Sequence, residues 1–283
     1  MSKSSDPLEW VLITGGSHGI GRALALECLD HGLAVAVVAL PNDDLSAMQE
    51  ECAALPGAIT AFLGLNLIAP GALDRLEVWL TEERIEVKYL INNAGFGRGG
   101  LFEHTPLEEY SSMLRLNNQV PVELTYRLLP RLIARRGAIL NMSSMEATLP
   151  LPYKTVYTGT KAFMFSFSLA LRQELRYHDV GVTVLCPGPI ITNEDGMRRV
   201  RAQGWRAKLL VKLPEDIAPE AIQGMLNGRD VIRPGFGTKF FIVLSYVVPR
   251  RLRMPILEKL FSRYREEAAD PAVLEEGVQT QHS

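Results

Sequence analysis

Three residues near the middle of the chain have the types and spacing that proton transfer requires. Tyr157 and Lys161 are four residues apart, which places both side chains on one face of a helix. A phenol titrates near pH 10 in isolation, and a neighbouring ammonium lowers that pKa. Lys161 is therefore predicted to make Tyr157 a usable proton donor or acceptor near neutral pH. Such a pair also occurs by chance in amphipathic helices, but Ser144, thirteen residues earlier at a strand end, favours catalysis.

An asparagine interrupts the apolar stripe of the preceding helical pattern. The stripe comprises Tyr110, Leu114, Asn117, Pro121, Leu124 and Leu128. A buried amide must find hydrogen-bond partners or cost roughly 1–3 kcal/mol. Pro121 has no N–H for the carbonyl four residues earlier, which is that of Asn117. An amide and a freed carbonyl at one position are suited to holding a water molecule, although a simple proline kink would give the same pattern.

A glycine-rich turn follows the first predicted strand and leads at once into a helix. It reads Thr14-Gly15-Gly16-Ser17-His18-Gly19-Ile20-Gly21, a Gly-x3-Gly-x-Gly spacing. Backbone N–H groups at a helix N-terminus can hold a pyrophosphate, and glycines allow its close approach. The same residues could also form an ordinary tight turn, but their place directly after a strand favours phosphate binding.

Two more strand ends carry residues typical of a ligand site. One reads Asn92-Asn93-Ala94-Gly95, which alone would be a strand-ending turn, and the other reads Cys186-Pro187-Gly188-Pro189-Ile190-Ile191-Thr192. In an open parallel sheet, ligands bind beyond the carboxyl ends of the strands. The glycine-rich turn and Ser144 also follow strands, so all four segments are expected at one edge of a sheet.

The elements that must position these residues alternate between strand and helix. Apolar runs without polar alternation predict strands covered on both faces, at Trp10–Thr14, Ala34–Ala39, Val87–Asn92, Ala138–Met142 and Val182–Cys186, with weaker ones at Ile59–Leu65 and Val231–Ile232. Helical patterns lie between them, at Gly19–His31, Asp43–Leu55, Ala72–Glu83, Pro106–Arg135, Val156–His178 and Pro219–Asn227. This order predicts an α/β fold with a single doubly wound parallel sheet and helices on both faces.

Composition excludes several classes of protein. The 283 residues are 47% hydrophobic and carry a net charge of −2, so a globular protein is expected and nucleic acid is not the expected partner. Cys28, Cys52 and Cys186 are widely spaced, which favours reduced thiols in a cytoplasmic protein. The scattered histidines predict no metal site, and neither a signal peptide nor a membrane-spanning run is present in the sequence.

Together these motifs resemble the short-chain dehydrogenase/reductase family, most strongly over residues 8–195. The resemblance implies a Rossmann-type NAD(P)-dependent oxidoreductase that acts on a carbonyl or a secondary alcohol. It implies that Tyr157 exchanges a proton with the substrate oxygen and that Ser144 hydrogen-bonds that oxygen. Lys161 would bind the nicotinamide ribose and lower the pKa of the tyrosine, and Asn117 would anchor a water molecule in a proton relay.

The resemblance also implies a set of cofactor contacts, at Thr14, Gly15, Ser17, His18, Gly19, Ile20, Gly21, Leu40, Asn66, Asn93, Ala94, Gly95, Tyr157, Lys161, Pro187, Gly188, Ile190 and Thr192. Leu40 stands where the family usually has Asp for NAD or Arg for NADP. Asn66 stands where many members have an Asp at the adenine. Because no carboxylate at Leu40 would repel a 2′-phosphate, and His18 could contact one weakly, we expect a preference for NADP(H).

The C-terminal part lies outside these motifs. We expect a catalytic domain over 8–235, an extension over 236–265, and disorder at 1–7 and 266–283. The apolar run Phe240–Val248 precedes Arg250, Arg251 and Arg253, a combination found at membrane interfaces. The extension could equally pack on the pocket or on a partner subunit, and we favour this second interpretation.

The substrate depends on segments that family resemblance places at the pocket, which are Phe96–Glu103, Thr148–Lys154 and Asn193–Leu213. The apolar content of the last of these segments and of the C-terminal extension favours a lipophilic ketone, such as a 3-oxoacyl or steroid-like compound. A homodimer or homotetramer is expected. The alternatives are a non-catalytic dinucleotide-binding regulator on the same fold and a membrane-surface scaffold that uses residues 239–261.

Overall fold

A computed structural model describes residues 8–188, 212–235 and 248–262 of the chain. Its strands are β1 (Trp10–Thr14), β2 (Ala34–Ala39), β3 (Thr60–Gly64), β4 (Val87–Asn92), β5 (Ala138–Met142), β6 (Gly181–Leu185) and β7 (Val231–Ile232). They form one parallel sheet in the order β3-β2-β1-β4-β5-β6-β7. The predicted fold class is thus confirmed, and the order reverses between β1 and β4, where such sheets bind ligands.

The helices of the described residues are α1 (Gly19–Asp30), α2 (Asp43–Ala53), α3 (Ala72–Glu82), α4 (Leu107–Leu114), α5 (Val120–Ala134), α6 (Thr155–Leu175), α7 (Pro214–Leu226) and α8 (Arg250–Phe261). Short 3₁₀ turns cover Phe102–His104, Met145–Thr148 and Arg176–His178. No helix in the three described ranges is both long and apolar enough to cross a bilayer.

The core consists of two apolar layers, because the buried strands send alternate residues to opposite faces of the sheet. Val11 and Ile13 of β1 pack in the layer with α1, α2 and α7, whereas Leu12 packs in the layer with α3 and α5. Cys28, Cys52 and Cys186 are free and buried, as the cysteine spacing predicts.

Two predicted helices differ from the structure by more than a few residues or in type, and the others differ only at their ends. The pattern over 106–135 forms two helices that are joined by a π-helical turn at Arg115–Gln119, directly before Pro121. That proline has no N–H to continue the α-helical ladder, and π turns are frequent at functional sites. Helix α7 begins at Pro214, five residues before the predicted start at Pro219, because its first turn buries Ile217 in the core.

Candidate active site

The glycine-rich turn is hydrogen-bonded to the residues that directly follow β4. The Thr14 hydroxyl accepts hydrogen bonds from the backbone N–H groups of Asn93 and Ala94, both at 3.1 Å. The Asn93 side-chain amide donates to the carbonyls of Thr14 at 3.0 Å and Gly15 at 2.9 Å. Gly15 has φ +65°, and a Cβ there would lie 2.9 Å from the Ala94 Cα. Thr14 and Asn93 therefore fix the turn, and glycine is required for this close approach.

The N-terminus of α1 fits a phosphate group. Its N-cap residue, His18, makes no side-chain capping hydrogen bond, and no acidic residue lies in the first turn. The first N–H groups of this helix point outwards at its positive end, and no acidic side chain of the first turn neutralises them. The residues Ser17, Gly19 and Ile20 of the turn thus suit the pyrophosphate of a dinucleotide, whereas Gly21 is buried, and a Cβ there would clash with the Gly15 carbonyl oxygen.

Asn117 lies buried inside the π turn and joins three parts of the site. Its Oδ1 accepts from the Phe96 N–H at 3.0 Å, and its Nδ2 donates to the Phe96 carbonyl at 2.9 Å and to the Thr160 hydroxyl at 3.1 Å. A Cβ on Gly95 would lie 2.7 Å from the Asn117 Oδ1. The amide is therefore satisfied by the loop after β4 and by α6, which meets the requirement for partners.

Ser144 and Tyr157 contact each other at the end of β5. Burial, together with the charge of Glu146, raises the pKa of Tyr157 to about 12, against the opposing effect of a hydrogen bond from Ser144. The predicted lowering of this pKa by Lys161 is therefore wrong for the residues present, because desolvation of the phenolate outweighs the favourable contacts. A protonated Tyr157 that is hydrogen-bonded to Ser144 is suited to donate its proton to an oxygen.

Lys161 lies one turn after Tyr157 and is buried, with 6% of its surface exposed. Burial lowers the pKa of its ammonium to about 8, while the charges of Cys186 and Glu146 raise it. The Nζ donates to the Met142 carbonyl at 3.4 Å and lies 5.7 Å from the centre of the Tyr157 ring. Lys161 can therefore give or take a proton close to neutral pH.

The remaining predicted contacts follow strand ends or lie outside the described residues. Leu40 is 53% exposed directly after β2, and the Asn66 side chain is exposed after β3, where it accepts from the Ile68 N–H at 3.1 Å. The Pro187 carbonyl accepts from the Met145 N–H at 2.9 Å, with Gly188 next to it. Ile190 and Thr192 lie outside the described residues.

Several positioning residues were missed by the sequence patterns. The Ser143 hydroxyl donates to the Lys161 carbonyl at 2.8 Å. The Asn92 amide donates to the Asn141 Oδ1 at 2.8 Å, and the Asn141 amide donates to the Ser168 hydroxyl at 2.9 Å. This buried polar network ties β4 and β5 to α6. Asparagines at the ends of apolar strands were the signal that could have revealed it.

An ion pair beside the tyrosine was also missed. Lys154 Nζ lies 3.0 Å from Glu146 Oε1, and each side chain is 18% exposed. The same Nζ lies 5.7 Å from the centre of the Tyr157 ring. Nothing in the spacing of these residues indicates the contact, because Glu146 belongs to a 3₁₀ turn whose path the sequence does not specify.

The sheet edge thus brings Asn117, Ser144, Tyr157 and Lys161 together with the glycine-rich turn. Residues 9–201 match the family model described as short chain dehydrogenase. The chain belongs to the short-chain dehydrogenase family.

Known proteins support this membership. The chain is 30% identical over 196 residues to a very-long-chain 3-oxoacyl-CoA reductase of Laccaria bicolor, a match that covers 68% of this chain and 58% of that protein. It is 33% identical to a serine 3-dehydrogenase of Rhizobium radiobacter, over 63% of this chain and 70% of that one. The chain spans about half the length of several curated relatives that it matches. A short-chain dehydrogenase from Sphingobium yanoikuyae, solved in complex with NADPH, is 26% identical to this chain with a TM-score of 0.71. The match covers 86% of this chain and 97% of the Sphingobium chain.

Proposed function

We propose that the protein is an NAD(P)-dependent oxidoreductase that interconverts a carbonyl and a secondary alcohol. The observation that carries this proposal is the contact of Ser144 with a protonated Tyr157, one helical turn from a buried Lys161. A non-catalytic dinucleotide-binding protein would need a phosphate site but no proton donor. Turnover of a ketone with a reduced nicotinamide, lost in Tyr157→Phe, is the direct test.

The roles of the residues follow from their chemistry. The bound nicotinamide would supply or accept the hydride. In reduction, Tyr157 gives its phenolic proton to the carbonyl oxygen of the substrate, and Ser144 donates a hydrogen bond to the same oxygen. Lys161 would hold the ribose of the bound cofactor and, with a pKa of about 8, can return a proton to the tyrosine. Asn117 holds the loop after β4 against α6, and its predicted water would connect Lys161 to solvent.

The preferred cofactor is proposed to be NADP(H). Leu40 leaves the position after β2 without a carboxylate, so no like charge faces a 2′-phosphate there. NADPH in the Sphingobium relative supports the same choice. The ratio of kcat/KM for NADPH and NADH tests it, and a ratio of one or below would refute it. Leu40→Asp should shift that ratio towards NADH.

The substrate is proposed to be a lipophilic ketone or alcohol. Leu149 and Leu151, in a segment that the resemblance places at the pocket, are buried against Leu257 of α8. The 3-oxoacyl-CoA reductase and a mouse 17-beta-hydroxysteroid dehydrogenase among the relatives support this class, whereas the serine 3-dehydrogenase does not. A series of ketones of rising chain length should show kcat/KM increasing with length, and a preference for short polar substrates would exclude the proposal.

We also propose that the chain forms a homodimer or homotetramer through α6. Its outer surface exposes Phe163, which is 46% exposed and stacks on Phe167 with ring centres 5.9 Å apart. Aromatic side chains of this kind are enriched in protein interfaces. Light scattering of the full chain and of Phe163→Ser should show a larger mass for the unaltered protein, and equal masses would contradict this assignment.

A further inference from the structure

The C-terminal helix α8 is covered on one face. Leu257 is 4% exposed and packs on Leu149 and Leu151. The Tyr153 hydroxyl donates to Glu258 Oε1 at 3.1 Å, so the only acidic side chain of α8 is held by the body of the protein. These contacts fix which side of α8 faces the body.

An exposed side of α8, about a quarter turn from Leu257, carries an apolar stripe. Leu252, Ile256 and Leu260 are 63%, 62% and 60% exposed. Their spacing of four residues places them one turn apart on one helix face. Single exposed apolar residues are ordinary on soluble proteins, but three in one line form a contiguous surface that something normally covers.

The charges around this stripe favour an anionic surface over a second copy of the chain as the partner that covers it. Helix α8 contains Arg250, Arg251, Arg253 and Lys259 but only one acidic residue, whereas the whole chain has a net charge of −2. In a two-fold dimer, the same patch would face itself, so two cationic surfaces would repel each other. An anionic lipid surface matches both the basic side chains and the apolar stripe.

We propose that the outer face of α8 is a docking surface for an anionic membrane. The helix lies in the interface, with Leu252, Ile256 and Leu260 at the boundary of the acyl chains and the exposed Arg250, Arg251 and Lys259 among the headgroups. Twelve residues span about 18 Å as a helix, so α8 lies on the bilayer and does not cross it. The proposal is independent of the reaction that the active site catalyses.

Flotation of the full-length protein with vesicles tests the proposal. Binding is expected with phosphatidylcholine mixed with phosphatidylserine, weaker binding with phosphatidylcholine alone, and a decrease as salt rises. The triple variant Leu252→Gln/Ile256→Gln/Leu260→Gln should no longer bind. Leu107→Gln, a control at a residue that is 72% exposed on α4, should bind like the unaltered protein. Arg250→Gln/Arg251→Gln should weaken binding about twenty-five-fold, since each basic residue near an anionic surface contributes about fivefold.

Failure of the unaltered protein to float with anionic vesicles would overturn the proposal. If the triple variant then also lost oligomer mass, the stripe would be a contact between two copies of the chain. If the triple variant does not fold, as judged by circular dichroism, the double arginine variant decides, because its side chains are exposed and outside the core. Vesicle binding by that variant equal to that of the unaltered protein would refute the proposal.

Discussion

Replacing Lys161 by methionine should stabilise the protein while it removes activity. At pH 7 the lysine is charged in both the folded and the unfolded chain, but the folded chain holds that charge in a buried site. Burial lowers its pKa from 10.5 to about 8. At 1.36 kcal/mol for each pKa unit, the buried charge costs about 3 kcal/mol of folding free energy at pH 7. Methionine has a similar length and no charge. The variant loses the weak hydrogen bond from Lys161 to the Met142 carbonyl, which costs about 1 kcal/mol. We expect a net gain of about 2 kcal/mol.

The lowered pKa of Lys161 also determines how the free energy of unfolding changes with pH. Between about pH 8 and 10.5, the folded chain has lost the Lys161 proton while the unfolded chain still binds it, so the unaltered protein gains stability as pH rises. Lys161→Met lacks this gain. The difference in the free energy of unfolding between the two proteins should therefore be largest below pH 8 and shrink towards pH 10.5. The thiols of Cys28 and Cys52 titrate alike in both proteins, so they cancel in the difference, whereas the charge of Lys161 lowers the pKa of Cys186 only in the unaltered protein.

Urea unfolding of both proteins at pH 7 and pH 9.5 measures that difference. Lys259→Met is the control, because that lysine is exposed on α8 and its replacement should change the free energy of unfolding by less than about 0.5 kcal/mol. A variant less stable than the unaltered protein at pH 7, or a difference that stays constant with pH, would refute the argument that burial of Lys161 opposes folding.

Three further predictions concern the proposed catalytic groups. Tyr157→Phe should lower kcat by at least about a hundredfold and leave the Kd of the cofactor nearly unchanged, since only the proton donor is lost; a loss below about tenfold in a steady-state assay would contradict the role. Ser144→Ala should reduce kcat more than Ser143→Ala, because Ser144 contacts the tyrosine whereas the Ser143 hydroxyl donates to the Lys161 carbonyl, and the reverse ranking would assign the role to Ser143. Gly97→Ala should lower kcat/KM about tenfold or more, because a Cβ there would lie 2.7 Å from the Tyr157 ring and displace it. Gly159→Ala, whose Cβ would meet nothing within 4 Å, is the matched control and should keep full activity.

The sequence predicts most of the sheet because a parallel strand buried on both faces has a distinctive composition. Strands β1, β2, β4, β5 and β7 begin and end at the predicted residues. Strand β6 lies one residue earlier than predicted, because its pairing starts at Gly181, a residue with no apolar side chain to mark it. The π turn before Pro121 was not predicted, since the sequence shows only that an N–H is missing and not how the helix adapts.

The sequence predicts which residues form the candidate site, but it does not predict the direction of their pKa shifts. Tyr157 and Lys161 are recognisable from their spacing, whereas the direction of the tyrosine pKa depends on burial and on Glu146, which contacts the site through a 3₁₀ turn. The contact of Lys154 with Phe261 of α8 likewise depends on tertiary structure, because the two residues are far apart in the chain. Local patterns carry no information about such neighbours.

Helix α8 contacts residues 149–154, which directly precede the helix that carries Tyr157, through Leu257 and through Phe261, whose ring centre lies 5.8 Å from Lys154 Nζ. Where binding at one site changes the affinity of another, the effect is reciprocal. If a lipid surface bound to α8 alters the affinity of the site for its substrate by some factor, the substrate must alter the affinity for lipid by the same factor. A saturated enzyme and an empty one would then partition differently between solution and membrane, and this ratio can be measured without observing turnover at all.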